Sequence, residues 1–491
     1  MKLLKYFFAL LLCTSLCSCE FIEGVIGNDD DEQTEQPGGS DFTGLAIEFA
    51  DPRVEALCIS RYDYNSDNKL QFSEAEYVSY LDSDLFVESE ISTFHELQYF
   101  TALTRISEYA FQGSTISDIT FPDGIIEIGA HAFENCGNLT SIELPASVTK
   151  IDDSAFARCN FRNFTLPASL TTIGSYAFGE CQLLEEIRIP ESVTSIGEAA
   201  FHMCDNITEF TFPNGITEIA PQVLSLCIGL TKINIPSSVT KIGSNAFDFC
   251  IGMTTFNLPK SIEIIEHYAF HQCEGMTEFS LPPAVKKIAY GMFYGCIALK
   301  EVNLHNNLEV IEQSVFEGCT ALESITIPDS VTSIGNDLFL NCSKLKSVKL
   351  SKNITDIPSY AFYKCTSITE IDIPTKVTKI DDAAFHQCSG LKKVDFPDGL
   401  TEIGDHAFYS ATGLTSVTFP SSLKKIGFGA FEECSNVREI ISLATETPQG
   451  NFYMFDGQAE GRKIYVPESS LNDYKRTQYW HDYSDSIFAM Q

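Results

Sequence analysis

Apolar residues recur along most of the chain in a fixed order that favours short stacked strands. Each unit carries the pattern L-x-x-I-x-L, then V-x-x-I, then A-F-x-x-C, as in residues 139–159. The first two parts predict two short β-strands, and a proline usually ends the first strand because proline cannot donate a ladder hydrogen bond. The third part predicts a single helical or 3₁₀ turn.

The aromatic residue of the third part gives the number of units. It recurs at a constant spacing apart from two steps that are one position shorter, and Leu224 once takes its place. One unit cannot bury its own apolar positions but stacked units can, so residues 101–440 predict a mainly β solenoid of about 15 coils. The registered positions are Phe111, Phe133, Phe156, Phe178, Phe201, Leu224, Phe247, Phe270, Phe293, Phe316, Phe339, Phe362, Phe385, Phe408 and Phe431.

The repeated unit LTSIxIPxSVTxIGxxAFxxC resembles the BspA-like leucine-rich repeat of bacterial surface proteins. The resemblance implies a leucine-rich-repeat solenoid that adheres to host proteins or to other cells. Residues 441–491 predict a C-terminal cap. Within it, residues 464–487 are similar to the end cap of that family, in which Tyr474, Tyr479, Trp480 and Tyr483 would cover the last open coil. A solenoid needs such a cap because its end is otherwise an exposed apolar surface.

The N-terminal segment indicates export from the cytoplasm. Two lysines precede the apolar run YFFALLLCTSLC, which is too short to span a membrane. Leu16 lies three residues before Cys19 and Ser18 directly before it, and this pattern resembles a bacterial lipobox. The resemblance implies a signal peptide over residues 1–19, lipidation at Cys19 and a lipoprotein of the outer membrane that is exposed on the cell surface. An ordinary signal peptide is the alternative.

Charge narrows the range of partners. The chain of 491 residues has a formal net charge of −35. Residues 20–44 are acidic and rich in glycine and lack periodic apolar positions, which predicts a disordered tether. So acidic a chain argues against nucleic acid as a partner and favours divalent cations or basic protein surfaces. The membrane would be reached through the N-terminal lipid only, and we expect a monomer.

Residues 45–100 predict a small helical cap that contains a calcium loop. A helix is expected over residues 51–62, and a second one would begin with a capping box of Ser73 and Glu76. Between them, the segment DYNSDNKLQFSE has the spacing of an EF-hand or dockerin-like loop. Asn68 takes the place where such loops prefer glycine, and asparagine tolerates the left-handed backbone required there.

This loop is the predicted site of a weakly bound, structural calcium ion. Lys69 would contribute its backbone carbonyl, and Glu74 would bind through both carboxylate oxygens. A metal-free turn rich in Asx residues is the alternative. The predicted ligands are Asp63, Asn65, Asp67, Lys69, Gln71 and Glu74.

Thirteen cysteines lie three residues after the aromatic position of a unit. Disulfides, metal ligands, reactive thiols and small buried fillers are the candidate roles. Ser114 and Ala411 occupy the equivalent place in two units, so any small residue fits. Stacked side chains are about 4.8 Å apart, wider than the roughly 3.8 Å Cβ separation of a disulfide, and metal ligands must converge. We expect buried thiols at Cys136, Cys159, Cys181, Cys204, Cys227, Cys250, Cys273, Cys296, Cys319, Cys342, Cys365, Cys388 and Cys434.

The motifs point to binding rather than catalysis. We find no nucleophile elbow, phosphate loop or HExxH motif, so no enzyme activity is expected. Aromatic rows beside the turn are candidates for stacking on sugars or anchoring a protein, while shielding of the turn edge is the alternative. The candidate ligand surface, here called the aromatic edge, consists of Tyr268, His271, Tyr294, Tyr363, His386 and Tyr409.

Three functions therefore compete at this stage. The first is adhesion to host or other cell-surface proteins, and the second is glycan binding within a nutrient-uptake system. The third is a structural spacer. The identity of a protein or glycan ligand does not follow from the sequence, because a fold does not fix a function.

Overall fold

The computed structural model describes Phe42 and residues 44–490, and these form a parallel β-solenoid. The predicted fold class is confirmed, although the solenoid has about 17 turns instead of about 15. The additional turns lie in the caps, where the aromatic column continues. Phe86 stacks on Phe111 with ring centroids 5.2 Å apart, and Phe455 packs on Phe431 at 6.1 Å. The cap segments depart from the repeat consensus, so the spacing of the AF motif did not reveal these turns.

Two rows of parallel strands run along the solenoid, and each strand pairs with its equivalent in a neighbouring coil. Along the three-residue strands of the repeats the central side chain is buried and its two neighbours are exposed, as in Glu301–Asn303. The first-strand row comprises Thr93–Phe94, Asp118–Ile119, Asn163–Phe164, Glu186–Ile187, Glu209–Thr211, Lys232–Asn234, Glu278–Ser280, Glu301–Asn303, Ser324–Thr326, Ser347–Lys349, Glu370–Asp372, Lys393–Asp395, Ser416–Phe419, Glu439–Ser442, Lys463–Val466 and Ile487–Ala489.

The second-strand row lies on another face and alternates an outward polar residue with an inward isoleucine in most coils. It comprises Arg105–Ile106, Glu127–Ile128, Lys150–Ile151, Thr172–Ile173, Ser195–Ile196, Glu218–Ile219, Lys241–Ile242, Ile264–Ile265, Lys287–Ile288, Val310–Ile311, Ser333–Ile334, Asp356–Ile357, Lys379–Ile380, Glu402–Ile403 and Lys425–Ile426. The inward side chains of both rows enclose one continuous core.

The AF segment differs from the predicted helical turn. Around Phe156, N–H groups alternate between bonds within the turn and bonds to the next coil. The Ala157 N–H donates to the Ser154 carbonyl over 3.1 Å, whereas the Phe156 N–H donates to the Ala177 carbonyl over 2.8 Å. Ser154 and Arg158 have φ of 55° and 59°, in the left-handed region. The segment therefore adds hydrogen bonds between coils, and a continuous helix could not form them.

The first helix of the N-terminal cap agrees with the sequence. It spans Pro52–Tyr62, and the carboxylate of its N-cap, Asp51, accepts a hydrogen bond from the Arg53 N–H over 2.9 Å. The same carboxylate accepts bonds from the Ser92 N–H and hydroxyl at 2.6 and 2.9 Å. Burial alone would raise the pKa of Asp51, but these hydrogen bonds lower it. Asp51 thereby ties this helix to the entrance of the solenoid, where the 3₁₀ helix His95–Tyr99 follows.

The second helix is shorter than predicted and begins elsewhere. It spans only Phe72–Ala75, and its capping box is formed by Gln71 and Glu74, so the predicted box of Ser73 and Glu76 is wrong. The Gln71 N–H donates to the Glu74 carboxylate over 2.9 Å, which places Glu74 in the first turn. The capping-box motif prefers Ser or Thr at the N-cap, which favoured Ser73 over Gln71 in the sequence. Glu74, the glutamate of the observed box, is fully buried.

The C-terminal cap closes the solenoid with two strands and short helices. The strands Lys463–Val466 and Ile487–Ala489 extend the ladder of the first-strand row. Between them lie the 3₁₀ helix Glu468–Ser470, the α-helix Leu471–Arg476 and the 3₁₀ helix His481–Ser486. Of the described helices, none is both long and apolar enough to cross a membrane.

Three of the four predicted aromatic cap residues cover the last coil. Trp480 and Tyr474 are fully buried and Tyr483 is nearly so. Tyr479 instead lies at the edge, half-buried, where its ring contacts Phe452 at a centroid distance of 4.7 Å. Its backbone has a φ of 68°, so the chain turns at this residue. This turn directs Tyr479 away from the core that Trp480 fills.

Candidate binding surfaces and calcium loop

The repeat cysteines form a buried column of free thiols, as predicted. Each of the thirteen Sγ atoms donates a hydrogen bond to the carbonyl of the AF-position residue in the preceding coil, over 3.0–3.3 Å. Cys136 donates to Phe111 and Cys434 to Phe408. Sequence reasoning missed this donor role, which Ala411 cannot supply. Burial raises the pKa of Cys136 to about 11, so the thiol stays protonated at neutral pH.

These thiols are expected to be unreactive in the folded protein. A thiolate is the reactive form, and burial both removes access and disfavours ionisation. A chromogenic disulfide reagent at pH 8 should react slowly with native protein. In denatured, unreduced protein the reagent should titrate at least thirteen thiols. As the control, the thiol titre should be the same after chemical reduction. A titre far below thirteen before reduction would show that the column carries disulfides.

The aromatic edge separates into two groups. In the first aromatic group, ring centroids of Tyr268 and His271 lie 5.2 Å apart, and those of His271 and Tyr294 lie 5.1 Å apart. In the second aromatic group, Tyr363 stacks on His386 at 4.6 Å and His386 on Tyr409 at 4.7 Å. The two coils between the groups carry Glu317 and Leu340 at the equivalent position, so the predicted row is interrupted.

Burial limits what the aromatic edge offers to a ligand. All six rings are half-buried, and they pack mainly on one another. His271 is also held by Asp248, whose carboxylate lies 2.7 Å from the imidazole Nδ1. Burial lowers the pKa of His386 to about 4, with smaller contributions from His406 and Lys364. His386 is therefore neutral at physiological pH and behaves as an aromatic ring in its stack.

More exposed aromatic rings lie beside both groups. Tyr290 contacts Tyr268 at a centroid distance of 4.8 Å, and Tyr360 contacts Tyr363 at 5.7 Å. Tyr290 and Tyr360 are 37 % and 42 % exposed, so they present more surface than the predicted residues. Sequence reasoning missed Tyr290 because it lies one position away from the row that carries Tyr268 and Tyr360.

The predicted calcium loop has the expected backbone turns. Asn68 has a φ of 62°, as its place in the motif requires. The Asp63 carboxylate accepts hydrogen bonds from the N–H groups of Asp67 and Asn68 at 3.2 and 2.8 Å. The Asn65 side-chain oxygen also accepts from the Asp67 N–H at 2.9 Å, and Asp67 accepts from the Lys69 N–H at the same distance. Side-chain oxygens therefore hold the loop in its turns.

Hydrogen bonds from within the loop occupy the acidic groups that would bind the metal. Glu74 is fully buried and accepts from the N–H groups of Tyr64 and Asn65 at 2.8 and 3.1 Å, besides that of Gln71. The Gln71 side-chain amide donates to Asp67 over 2.8 Å. Over residues 44–490, no group of three or more His, Cys, Asp or Glu side chains is placed to hold a metal ion. Calcium would fit only after Glu74 released these donors, so the calcium site stays a prediction.

The lipidation site is Cys19, and it lies outside the described residues together with the rest of residues 1–41. The signal peptide and most of the tether therefore stay predictions.

The fold defines a class of protein, the leucine-rich-repeat solenoid. The BspA type leucine rich repeat region matches the chain in six overlapping copies, over residues 104–230, 149–277, 194–323, 264–391, 310–438 and 355–474. The chain therefore belongs to the BspA-type leucine-rich-repeat family. Solenoids of this kind are typically non-catalytic binding scaffolds, and members of the family are typically surface proteins.

A solved structure agrees with the solenoid fold. A leucine-rich repeat protein from Bacteroides ovatus is 26 % identical, with a TM-score of 0.54, covering 79 % of this chain and 88 % of that one. A leucine rich cell surface protein from Faecalibacterium prausnitzii is 28 % identical, with a TM-score of 0.41, covering 64 % and 82 %. No curated protein matches the chain.

Proposed function

We propose that the protein is a cell-surface lipoprotein whose solenoid binds host or other cell-surface proteins. The observation that carries this proposal is the long first-strand row, in which paired strands of adjacent coils present their outward side chains in register. Such a surface suits an extended protein partner because adjacent coils supply contacts without a change of backbone. Membership of the BspA-type family supports the same function.

Localisation is tested on intact cells. Protease added outside should degrade the protein if it is exposed on the surface, while a periplasmic marker stays intact. Cys19→Ala should abolish labelling by a fatty-acid analogue and release the protein from membranes. If the labelling survives this substitution, Cys19 is not the lipidation site.

Adhesion is tested with the soluble chain that begins after Cys19. Binding to immobilised matrix proteins and to whole cells should saturate, and an unrelated acidic protein should not reproduce it. If the aromatic edge contributes, replacing Tyr268, His271 and Tyr294 with alanine will weaken binding while the unfolding midpoint changes little. The matched control replaces Tyr109 and His131, which stack at 4.7 Å on the same kind of edge near the N-terminus. If both variants bind as strongly as the parent protein, adhesion is assigned to the strand rows.

Glycan binding in a nutrient-uptake system is the second candidate. Stacked rings favour it, since the ring planes of Tyr363 and His386 differ by 19° and those of His386 and Tyr409 by 17°. Rings stacked in this way offer a sugar their edges and the outer faces at the two ends of the stack. A glycan array should then give binding that is lost when these three residues become alanine. Protein binding that survives the same replacement would favour adhesion instead.

We also propose that the loop 63–74 binds one calcium ion weakly and stiffens the N-terminal cap. The order of its oxygen-bearing residues and the left-handed turn at Asn68 support this role. Calcium would compete with the Gln71 amide for Asp67 and with backbone N–H groups for Glu74. Because of this competition we expect weak binding, with a dissociation constant in the range of extracellular calcium modules, about 10⁻⁴–10⁻³ M.

Calcium is expected to raise the free energy of unfolding of the cap. For a dissociation constant of about 1 mM, a concentration of ~10 mM should add about 1.4 kcal/mol. Asp67→Asn should abolish this increment while retaining an oxygen that accepts from Lys69. Glu74→Gln is a poorer test, because its loss of backbone hydrogen bonds destabilises the cap without calcium. Equal unfolding midpoints of the parent with calcium, with magnesium and with neither would refute the proposal.

A further inference from the structure

Five lysines gather on the first-strand face of a chain whose net charge is −35. Lys344, Lys346, Lys349 and Lys352 lie in one coil, and Lys300 holds the repeat position of Lys346 two coils earlier. All five side chains are exposed. Because two whole repeats separate Lys300 from Lys346, both lie on the same face. The result is a local concentration of positive charge on an otherwise acidic molecule.

Glu323 lies near three of these lysines, Lys300, Lys344 and Lys346. It occupies the same repeat position in the coil between Lys300 and Lys346, and the Lys346 Nζ lies 2.8 Å from its carboxylate. The hydrogen bond and charge of Lys346, with the charges of Lys344 and Lys300, hold the pKa of Glu323 below its usual value. One carboxylate thus faces three lysines and cannot neutralise them.

Asp329 has the same relation to the other two lysines. The Lys352 N–H donates to its carboxylate over 3.1 Å, and the Lys352 Nζ lies 3.3 Å away. Hydrogen bonds from the backbone and side chain of Lys352, with the charges of Lys352 and Lys349, hold the pKa of Asp329 below its usual value. Lys349 has no ion pair of its own among the described residues.

A shallow cleft adjoins the lysines. Its volume is about 540 Å³, and Lys300, Asn303, Asn306, Glu323 and Thr326 are among its lining residues. Thr326 pairs directly with Lys349 in the register of neighbouring strands, so the cleft leads to that lysine. The cleft thus combines amide and hydroxyl groups with cations at its rim. Here we call this cleft with its five lysines the lysine cleft.

Two acidic positions bound the lysine cleft. Glu301 lines one side, where it accepts a hydrogen bond from the Asn303 amide over 3.2 Å. Asp372 follows Lys349 at the equivalent strand position of the next coil, and Asp395 follows Asp372. Negative charge on both sides confines a bound anion to the coils between Glu301 and Asp372.

We propose that the lysine cleft binds an acidic polysaccharide, with the lysines on its carboxylate or sulfate groups and the amides and hydroxyls on its sugar hydroxyls. The walls favour a sugar over an acidic peptide, because polar groups dominate and the cleft has no deep apolar pocket to receive a side chain. The five lysines outnumber the two carboxylates that pair with them, Glu323 and Asp329, so positive charge is in excess between Glu301 and Asp372. Acidic residues elsewhere on the chain are screened, because the Debye length is about 8 Å at physiological salt. This activity goes beyond protein adhesion and does not depend on it.

The test measures binding of the full chain to three polymers. Polygalacturonate offers carboxylates, dextran sulfate offers sulfates, and neutral dextran offers neither. Binding to at least one polyanion, but not to neutral dextran, is expected and should weaken as sodium chloride rises from about 0.05 to about 0.3 M. Replacing Lys344, Lys346 and Lys349 with glutamine should weaken that binding about tenfold or more, since each exposed ion pair contributes up to about 1 kcal/mol.

The matched control replaces Lys260, Lys286 and Lys287 with glutamine. It removes the same charge from exposed lysines outside the lysine cleft and should leave polyanion affinity within about twofold. Arginine at the three cleft positions should retain binding, and unchanged unfolding midpoints would show that all variants fold.

An equal loss in both glutamine variants would overturn the proposal, as would absence of polyanion binding. Binding of poly-glutamate alone, with the same lysine dependence, would reassign the cleft to acidic peptides. Protein adhesion is read separately and can fail or succeed in either case.

Discussion

Replacing Trp480 with alanine is expected to lower the free energy of unfolding by about 3–5 kcal/mol, the usual cost of removing a large buried aromatic ring. Trp480 is fully buried, and its indole N–H donates to the Pro448 carbonyl over 2.7 Å. Its ring contacts Tyr474 at a centroid distance of 4.8 Å and Phe455 at 5.5 Å. The substitution leaves a cavity and an unpaired carbonyl at the end of the solenoid, where only one side has a neighbouring coil.

Chemical denaturation with circular dichroism measures this change, and Tyr479→Ala is the control. Tyr479 belongs to the same segment but lies half-buried on Phe452, so its loss should cost about 1 kcal/mol or less. Opening should begin at the C-terminal cap, which hydrogen exchange of Lys463–Val466 and Ile487–Ala489 would report. Equal costs for Trp480→Ala and Tyr479→Ala would show that Trp480 does not hold the cap.

The fold was predictable because its cause is repeated in every unit. Phe293 and Phe316 are one repeat apart in the sequence and stack at 5.6 Å in the structure, so spacing translates directly into contact. The turn segment was less predictable, because its N–H groups bond to the next coil as well as along the chain. The caps were the least predictable part, since Phe86 and Phe455 extend the column without the repeat consensus around them.

The calcium loop shows why a local motif left two outcomes open. A glutamate at position 74 is compatible with metal binding and also with a capping box around Gln71, and its place in the sequence fits both. The aromatic edge was predicted as one surface, yet Glu317 and Leu340 divide it. The lysine cleft depends on positions two coils apart, such as Lys300 and Lys346, and could be recognised only by placing the coils side by side.

Replacing Phe316 in the central aromatic column with alanine is expected to lower the free energy of unfolding by about 3–5 kcal/mol. The destabilisation should be confined to the coils near the substitution. Phe316 is fully buried between Phe293 and Phe339, with ring centroids 5.6 Å from each. Alanine removes two stacking contacts and creates a cavity that the flanking strands cannot close. Because each coil contacts only its neighbours, hydrogen exchange should accelerate in the coils next to Phe316 and much less near Phe133.

Phe316→Leu provides the control, because the chain already tolerates leucine at this position. Leu224 is fully buried at the equivalent place between Phe201 and Phe247. We therefore expect Phe316→Leu to cost less than about 1.5 kcal/mol, since leucine keeps most of the volume and only the ring stacking is lost. A leucine variant as unstable as the alanine variant would mean that stacking, rather than filled volume, stabilises the column. Exchange that accelerates equally in every coil would mean that the solenoid unfolds as one unit and that its stability is not a sum over neighbouring coils.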